Sequence, residues 1–184
     1  MTGFYDNLFF KVTSNKEDTQ QMKLIKIIQE NCTGCRLCEA TCSFTHFRKI
    51  SPELSRIRIF KEEEYGNHIV IMCSQCEEAP CIEVCPTEAL QRNMESGVVM
   101  LDINECSDCG ECTEACPIGA PFITNLTDHP LKCDLCGGGE PECVQVCDRQ
   151  ALVVEDTSVD AAHRKQYMET ASEQLTLRLG DGKK

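Results

Sequence analysis

Tryptophan is absent from this chain of 184 residues, and aromatic residues are few, seven Phe and three Tyr. Hydrocarbon is scarce too. The apolar share of 41% includes sixteen cysteines, and without them about a third of the chain is apolar. A chain of this length is one domain or two small ones, and so little apolar material cannot build an ordinary burial-driven core. Something other than hydrocarbon must fill the interior. Positive charge is also short: 18 Lys and Arg stand against 30 Asp and Glu, for a net charge of −12. No Lys/Arg cluster exceeds two or three residues, which excludes a phosphate-binding face for nucleic acid and attraction to an anionic membrane surface. No apolar run reaches membrane-spanning length. The opening stretch MTGFYDNLFF has no basic region, and Asp6 interrupts its apolar run, so it reads as neither a secretory nor a twin-arginine leader. A cytoplasmic location is expected.

What the chain has in excess is cysteine. Such counts arise in secreted disulfide scaffolds or in intracellular metal binders, and the missing leader favours metal. The sixteen fall into four groups with none left over: Cys32, Cys35, Cys38 and Cys42; Cys73, Cys76, Cys81 and Cys85; Cys106, Cys109, Cys112 and Cys116; Cys133, Cys136, Cys143 and Cys147. Each opens with CxxC and closes with CxxxC, and only the middle gap varies. A loop of this kind wraps three thiolates round one side of a compact cluster, while the fourth cysteine, on or near a short helix, points to another. That crossed arrangement is the logic of two-cluster ferredoxins, whose run is C-x2-C-x2-C-x3-C-P. The second and third groups keep the proline as Pro86 and Pro117, whereas Ser43 and Asp148 replace it in the first and fourth. Structural zinc modules usually separate two CxxC pairs by a dozen residues or more, unlike these groups. A catalytic cluster with an open iron calls for three cysteines rather than four. The reading is four 4Fe–4S clusters acting as electron carriers, or three if one site is empty.

Short apolar runs alternate with the cysteine loops. LIKII (Leu24–Ile28), RIRIF (Arg56–Phe60), NHIVIMC, PFITN and ALVVE read as strands. RIRIF and NHIVIMC pair across KEEEYG, and TEALQRNMESGVVMLD reads as a hairpin turning around Glu95–Gly97. EEAPCIEVC and PECVQVC read as single helical turns. The pattern is an internal repeat of a ferredoxin half.

From about residue 24 to 155 the chain resembles the four-cluster ferredoxin-like electron-transfer subunits of molybdenum and tungsten oxidoreductases, hydrogenases and carbon monoxide dehydrogenases. CTGCRLCEATCSFTH, CSQCEEAPCIEVCPTEAL and KCDLCGGGEPECVQVC carry the resemblance. It is most similar to the small subunits of tungsten enzymes of the aldehyde oxidoreductase type, class II benzoyl-CoA reductase among them. The resemblance implies an α+β fold of two interleaved bacterial-ferredoxin-like modules within residues 24–156. Groups one and four form the outer module, and groups two and three form the inner one, 73–123. Exchange of last cysteines is implied as well: Cys32, Cys35 and Cys38 join Cys147; Cys133, Cys136 and Cys143 join Cys42; Cys73, Cys76 and Cys81 join Cys116; Cys106, Cys109 and Cys112 join Cys85. With Ser43 and Asp148 in one exchanged pair, an empty site is expected there if anywhere. The implied function is that of a non-catalytic wire, carrying single electrons to or from a larger pterin-bound tungsten or molybdenum subunit. A ferredoxin or further electron-transfer subunit would stand at its other end. The alternatives are a free polyferredoxin shuttle, or the electron subunit of a formate dehydrogenase, hydrogenase or CO dehydrogenase.

Four thiolates around each oxidised core add about −2 per cluster, which favours low potentials. Gly34, Gly110, Gly137 and Gly138 let backbone approach sulfur or simply form turns. Lys132, beside Cys133, reads first as an ordinary residue, with cluster tuning as the alternative. His46 reads first as a surface or packing residue, and His68, His129 and His163 lack ligand spacing. Lys61–Glu64 reads as a solvated turn. Residues 1–23, with Phe4, Tyr5, Phe9 and Phe10, read as a docking arm. In the tail 157–184, Tyr167, Met168, Ala171 and Leu175 fall at helical spacing, and burial of this face against the catalytic subunit is expected.

Overall fold

In a computed structural model, the protein is described over residues 23–62, 67–156 and 161–179, and the aromatic arm and residues 63–66 lie outside that range. The described part is a small α+β structure of short elements threaded between cysteine loops. Strand β1 (Lys23–Ile27) leads to helix α1 (Leu37–Phe47), and the hairpin β2 (Ile57–Glu62) and β3 (Asn67–Met72) follows. Next come α2 (Pro80–Glu83), the hairpin β4 (Leu90–Arg92) and β5 (Val99–Leu101), and α3 (Glu111–Ala115). The chain then runs through α4 (Glu142–Gln145) and β6 (Leu152–Asp156) to α5 (Ala161–Leu179). Among the described residues no helix is long and apolar enough to cross a membrane.

The three sheets among the described residues are two-stranded and antiparallel. The strands of both hairpins pair as the sequence predicts. The Asn93 side chain accepts from the N–H groups of Glu95 and Ser96, and Gly97, at φ 69°, completes the turn between β4 and β5. The third sheet is long-range: β1 pairs with β6, Ile25 opposite Val154, so the strand entering the first cysteine group lies beside the strand leaving the fourth. Helix packing repeats that pairing, α1 resting on α4 and α2 on α3.

The β2–β3 hairpin is a wall buried on both faces, which is why NHIVIM reads as a nearly unbroken apolar run. Side chains alternate along it with period two. Ile57, Ile59, Val70 and Met72 join Cys38, Cys42 and Cys143 on one side. Ile69 and Ile71 face Ile118, Ala120, Phe122 and Leu131 on the other. PFITN contributes one bridge, Phe122 to Leu131, and the Arg58 guanidinium stacks 4.4 Å from the Phe122 ring.

Helix α5 folds back over this wall. The Tyr167 hydroxyl donates to the Val70 carbonyl (3.1 Å) and accepts from the Met72 N–H (3.3 Å), while Ala171 is 1% exposed. Burial pushes this phenol up from its ordinary pKa. The expectation that this face would bury against a partner is therefore corrected for Tyr167 and Ala171. The physical reason is the thin core, because the outer carbonyls of β3 need a donor and the inner module needs apolar cover. The side chain of Leu175 lies outside the described residues.

Candidate metal-cluster sites

Each cysteine group is a loop running into a helix. Cys32 and Cys35 precede α1, which carries Cys38 and Cys42; Cys73 and Cys76 precede α2, which carries Cys81. Cys112 lies on α3 and Cys143 on α4. The four loops share one backbone feature that spacing alone does not reveal. The residue two places after each first cysteine is left-handed: Gly34 at φ 65°, Gln75 at 53°, Asp108 at 52° and Leu135 at 53°. Three of the four are not glycine, and such conformations cost about 1 kcal/mol or more each. Left-handed residues of this kind turn successive N–H groups toward a concavity, a geometry suited to an anion.

A second repeat follows the last cysteines. Glu88, Gly119 and Gln150 are also left-handed, and their N–H groups donate to the carbonyls of Cys85, Cys116 and Cys147. The segment after Cys42 departs from it. Pro86 and Pro117 stand where a helix must stop, whereas Ser43 lets α1 continue to Phe47. Its buried hydroxyl donates to the Glu39 and Ala40 carbonyls and accepts from the Ser51 N–H.

Thiols from different groups converge. Cys32, Cys35, Cys38 and Cys147 line one cavity of about 200 Å³, with Arg36 and Asp148 at its edge. Cys73, Cys76, Cys81 and Cys116 line a second, tighter one together with Gln75 and Lys132. The neighbours that act electrostatically on Cys112 are Cys106, Cys109 and Cys85. Those acting on Cys143 are Cys133, Cys42 and Cys136, and also Cys38 across the boundary to the first cavity. Cys73 in turn acts on Cys133, and Cys81, Cys85 and Cys112 share one apolar core. The four quartets thus follow one another in space, from the Cys32 set through the Cys133 and Cys73 sets to the Cys106 set. Cys35 and Cys109, the two exposed cysteines, belong to the two ends.

Burial dominates the chemistry of these thiols. It pushes Cys38 up to about 12, with Glu39 adding to the effect, and Cys81 up to about 12, with Cys73 adding. Cys133 and Cys143 are driven higher still by burial and then by neighbouring thiols. Thiols in that state are neutral and poor ligands unless a strong Lewis acid takes the proton's place, as iron does. Cys85 is the exception. Burial acts against its thiolate, but N–H groups of Leu90, Thr87 and Ala89 and the Thr87 hydroxyl outweigh it and lower the pKa. Backbone N–H groups also reach Cys42 from Arg56 and Cys116 from Ala120, both at 3.4 Å.

The donor set fits iron–sulfur clusters. Four soft thiols per site, ringed by N–H groups, suit a compact anionic core. Among the described residues no three His, Cys, Asp or Glu side chains close on a point as a single metal ion requires.

Several supporting residues carry no signal in the sequence. Gln75, 1% exposed, donates to the Cys133 carbonyl and accepts from the Val99 N–H, both at 2.8 Å, bridging two quartets. The His68 ring packs over Gly34. Met168 places its sulfur 3.5 Å from that of Cys76. Glu39, 3% exposed, accepts from the Ile59 N–H and tethers α1 to β2. Asp134 accepts from the Cys136 N–H and pairs with Arg56 at 2.7 Å. Burial tends to raise its carboxyl, but the Arg56 and His46 charges outweigh that and hold it below the ordinary range. His46 lies 3.8 Å from Asp134, and burial and Arg56 lower its pKa. His129 pairs with Asp128 at the surface, and the side chain of His163 lies outside the described residues.

The 4Fe–4S dicluster domain family matches residues 67–157, spanning the second to fourth cysteine groups. The sequence is 43% identical over 131 residues to an aliphatic sulfonate oxidoreductase, polyferredoxin-like subunit, from Pyrococcus furiosus, covering 71% of this protein and 75% of that one. It is 32% identical over 145 residues to one of the polypeptides of anaerobic dimethyl sulfoxide reductase of Escherichia coli, covering 68% and 69%. A component of the active site complex BamBC of benzoyl coenzyme A reductase, solved with benzoyl-CoA, aligns over 87% of this protein and 92% of its own length, with 27% identity and a TM-score of 0.46.

Proposed function

This protein belongs to the family of ferredoxin-like 4Fe–4S electron-transfer subunits of oxidoreductases, and on that premise we propose that it is a four-cluster wire serving a larger catalytic subunit. One observation supports the reading above the others: thiols from different cysteine groups converge on shared cavities, and the exposed cysteines, Cys35 and Cys109, fall in the first and last sets of the proposed series. A cluster held in such a quartet supplies one-electron chemistry with no bond made or broken on a substrate.

Cys32, Cys35, Cys38 and Cys147 hold the first cluster, and Cys133, Cys136, Cys143 and Cys42 the second. Cys73, Cys76, Cys81 and Cys116 hold the third, and Cys106, Cys109, Cys112 and Cys85 the fourth. The structure is then two interleaved ferredoxin-like modules. The outer one is closed by β1–β6 and α1–α4, and the inner one, within 73–123, by β4–β5 and α2–α3. The remaining residues set distances and potentials. The β2–β3 wall keeps water from the buried thiols, left-handed N–H groups stabilise negative charge, and Gln75 fixes the second site against the third.

The catalytic partner is a pterin-bound tungsten or molybdenum subunit. Relatives that serve as a polyferredoxin-like subunit of one oxidoreductase and a component of another support a partnered wire over a free shuttle. Metal analysis of the native complex, drawn anaerobically through a tag on this protein, tests the proposal. About sixteen iron atoms per chain, four for each of four clusters, together with tungsten or molybdenum in a companion subunit, is the expected result. Iron with no companion subunit would point to a free shuttle, and zinc in place of iron would refute the cluster reading.

A further inference from the structure

Lys132 is the buried charge that ligand chemistry leaves unexplained. It is 5% exposed, and its ammonium donates to the Val99 carbonyl at 2.6 Å and the Cys133 carbonyl at 3.1 Å. Both acceptors are neutral, and among the described residues no carboxylate forms an ion pair with it. A cation held away from water without a counter-charge is strongly unfavourable. The side chain lines the cavity of Cys73, Cys76, Cys81 and Cys116, and its charge bears on Cys76 and Cys81 within that quartet and on Cys133 of the next. The missing counter-charge is therefore the anionic content of the cavity.

Among the described residues, the other quartets have no buried, unpaired cation of this kind. Arg36 and Arg149 line the first cavity but are exposed to solvent, and Arg36 pairs with Glu39, which bears on Cys38. Asp134 and Glu142 bear on Cys136. Arg56 lies near Cys42 but is neutralised by Asp134 at 2.7 Å. The Cys106 set is embedded in Glu105, Asp108, Glu111 and Glu114 along the sequence. A fixed cation in a poorly hydrated cavity stabilises the added electron, and a carboxylate opposes it.

We propose that Lys132 is a potential-setting counter-cation, which makes the cluster held by Cys73, Cys76, Cys81 and Cys116 the first to accept an electron in this protein. The inference rests on the four-cluster reading above. Lys132 acts through its charge, held at the cavity wall by the two carbonyls.

The test is a potentiometric titration, followed by electron paramagnetic resonance, of the anaerobic complex carrying the wild-type protein, Lys132→Gln or Lys132→Arg. Gln keeps a donor for Val99 and removes the charge. Its first-reduced cluster should show at least a tenfold lower ratio of reduced to oxidised at a fixed poise, which is 59 mV for a one-electron couple. The Cys133 quartet should move less, and the Cys32 and Cys106 quartets should stay put. Lys132→Arg should stay within a factor of three of wild type. Should Lys132→Gln fail to hold iron, wild-type complex carrying ¹⁵N-lysine and poised at its first electron decides the matter. A single lysine nitrogen coupled to that signal supports the proposal, and no coupling overturns it. Unshifted potentials in an iron-replete Lys132→Gln complex also overturn it. Wild-type protein without iron would instead remove the cluster reading beneath it.

Discussion

Gly34 separates two costs that are usually confounded. Its φ of 65° is a conformation that costs an L-residue about 1–2 kcal/mol. Yet Gln75, Asp108 and Leu135 adopt it at the equivalent place in the other three loops, so backbone strain alone does not demand glycine. The demand comes from His68. A Cβ on residue 34 would lie 2.9 Å from three atoms of its ring, and the ring is a rigid group at the start of β3 rather than a flexible tip. Forcing such an overlap costs about 1–3 kcal/mol, so Gly34→Ala should destabilise the first loop by about 2–5 kcal/mol in total. If iron leaves this site through local opening, release to a chelator should speed up by about 30-fold or more, at roughly 1.4 kcal/mol per factor of ten. The release should be confined to about a quarter of the iron. His68→Ala in the same protein should recover the steric part and leave only the conformational cost, a coupling of about 1–3 kcal/mol in a double-mutant cycle. Wild-type release from Gly34→Ala, or no recovery in the double variant, would refute the argument.

The other predictions concern the joints between modules. Cys147→Ser should disturb the signal of the cluster on Cys32, Cys35 and Cys38; a change confined to the Cys133 set would mean that last cysteines are not exchanged. Tyr167→Phe strands the buried Met72 N–H and should cost about 1–2 kcal/mol, and Tyr167→Ala about 3–4 kcal/mol, read as a lower thermal midpoint of the complex. Equal midpoints in wild type and both variants would mean that α5 does not dock on β3. Asp134→Asn removes a half-buried ion pair and should cost about 1–3 kcal/mol at neutral pH. The folded carboxyl of Asp134 titrates below its ordinary value, so this stabilisation is complete above about pH 4 and is lost as pH falls through the depressed value. The ratio of variant to wild-type iron release should therefore stay level from pH 8 to about 5. A ratio that already narrows at pH 6 would implicate another group.

Much of this architecture is legible in the residues. Both hairpins announce themselves through alternating apolar runs bounded by turn residues, and CxxC with CxxxC spacing isolates four loops without remainder. The pairing of β1 with β6 is not local, and only the module repeat points to it. Helix α1 outlasts α2 and α3 because Ser43 stands where the second and third groups place proline, a local signal that is readable once the groups are compared. Three features have no such signal. Gln75 and Leu135 are left-handed without being glycine, because the loop they close, rather than their own preference, sets φ. His68 lacks ligand spacing, and its packing on Gly34 depends on a contact between distant segments. The apolar face of α5 is visible as a stripe, but whether it covers this protein or another depends on how much core remains unburied.

The pairing of β1 with β6 also sets an order of manufacture. Lys26 meets Glu155 across 129 residues of sequence, so the first three cysteines to leave the ribosome wait for one of the last. At about 5–20 residues per second, the Cys32 loop is out for several seconds before Cys147 can reach it. The inner loops, from Cys73 to Cys116, can close while synthesis is still under way. A nascent polypeptide would thus fill from its middle outward. On the proposed ligand assignment, a premature stop between Cys116 and Cys133 would forfeit both outer sites together, leaving a stub with the ligands of the two inner clusters but no path to its other end.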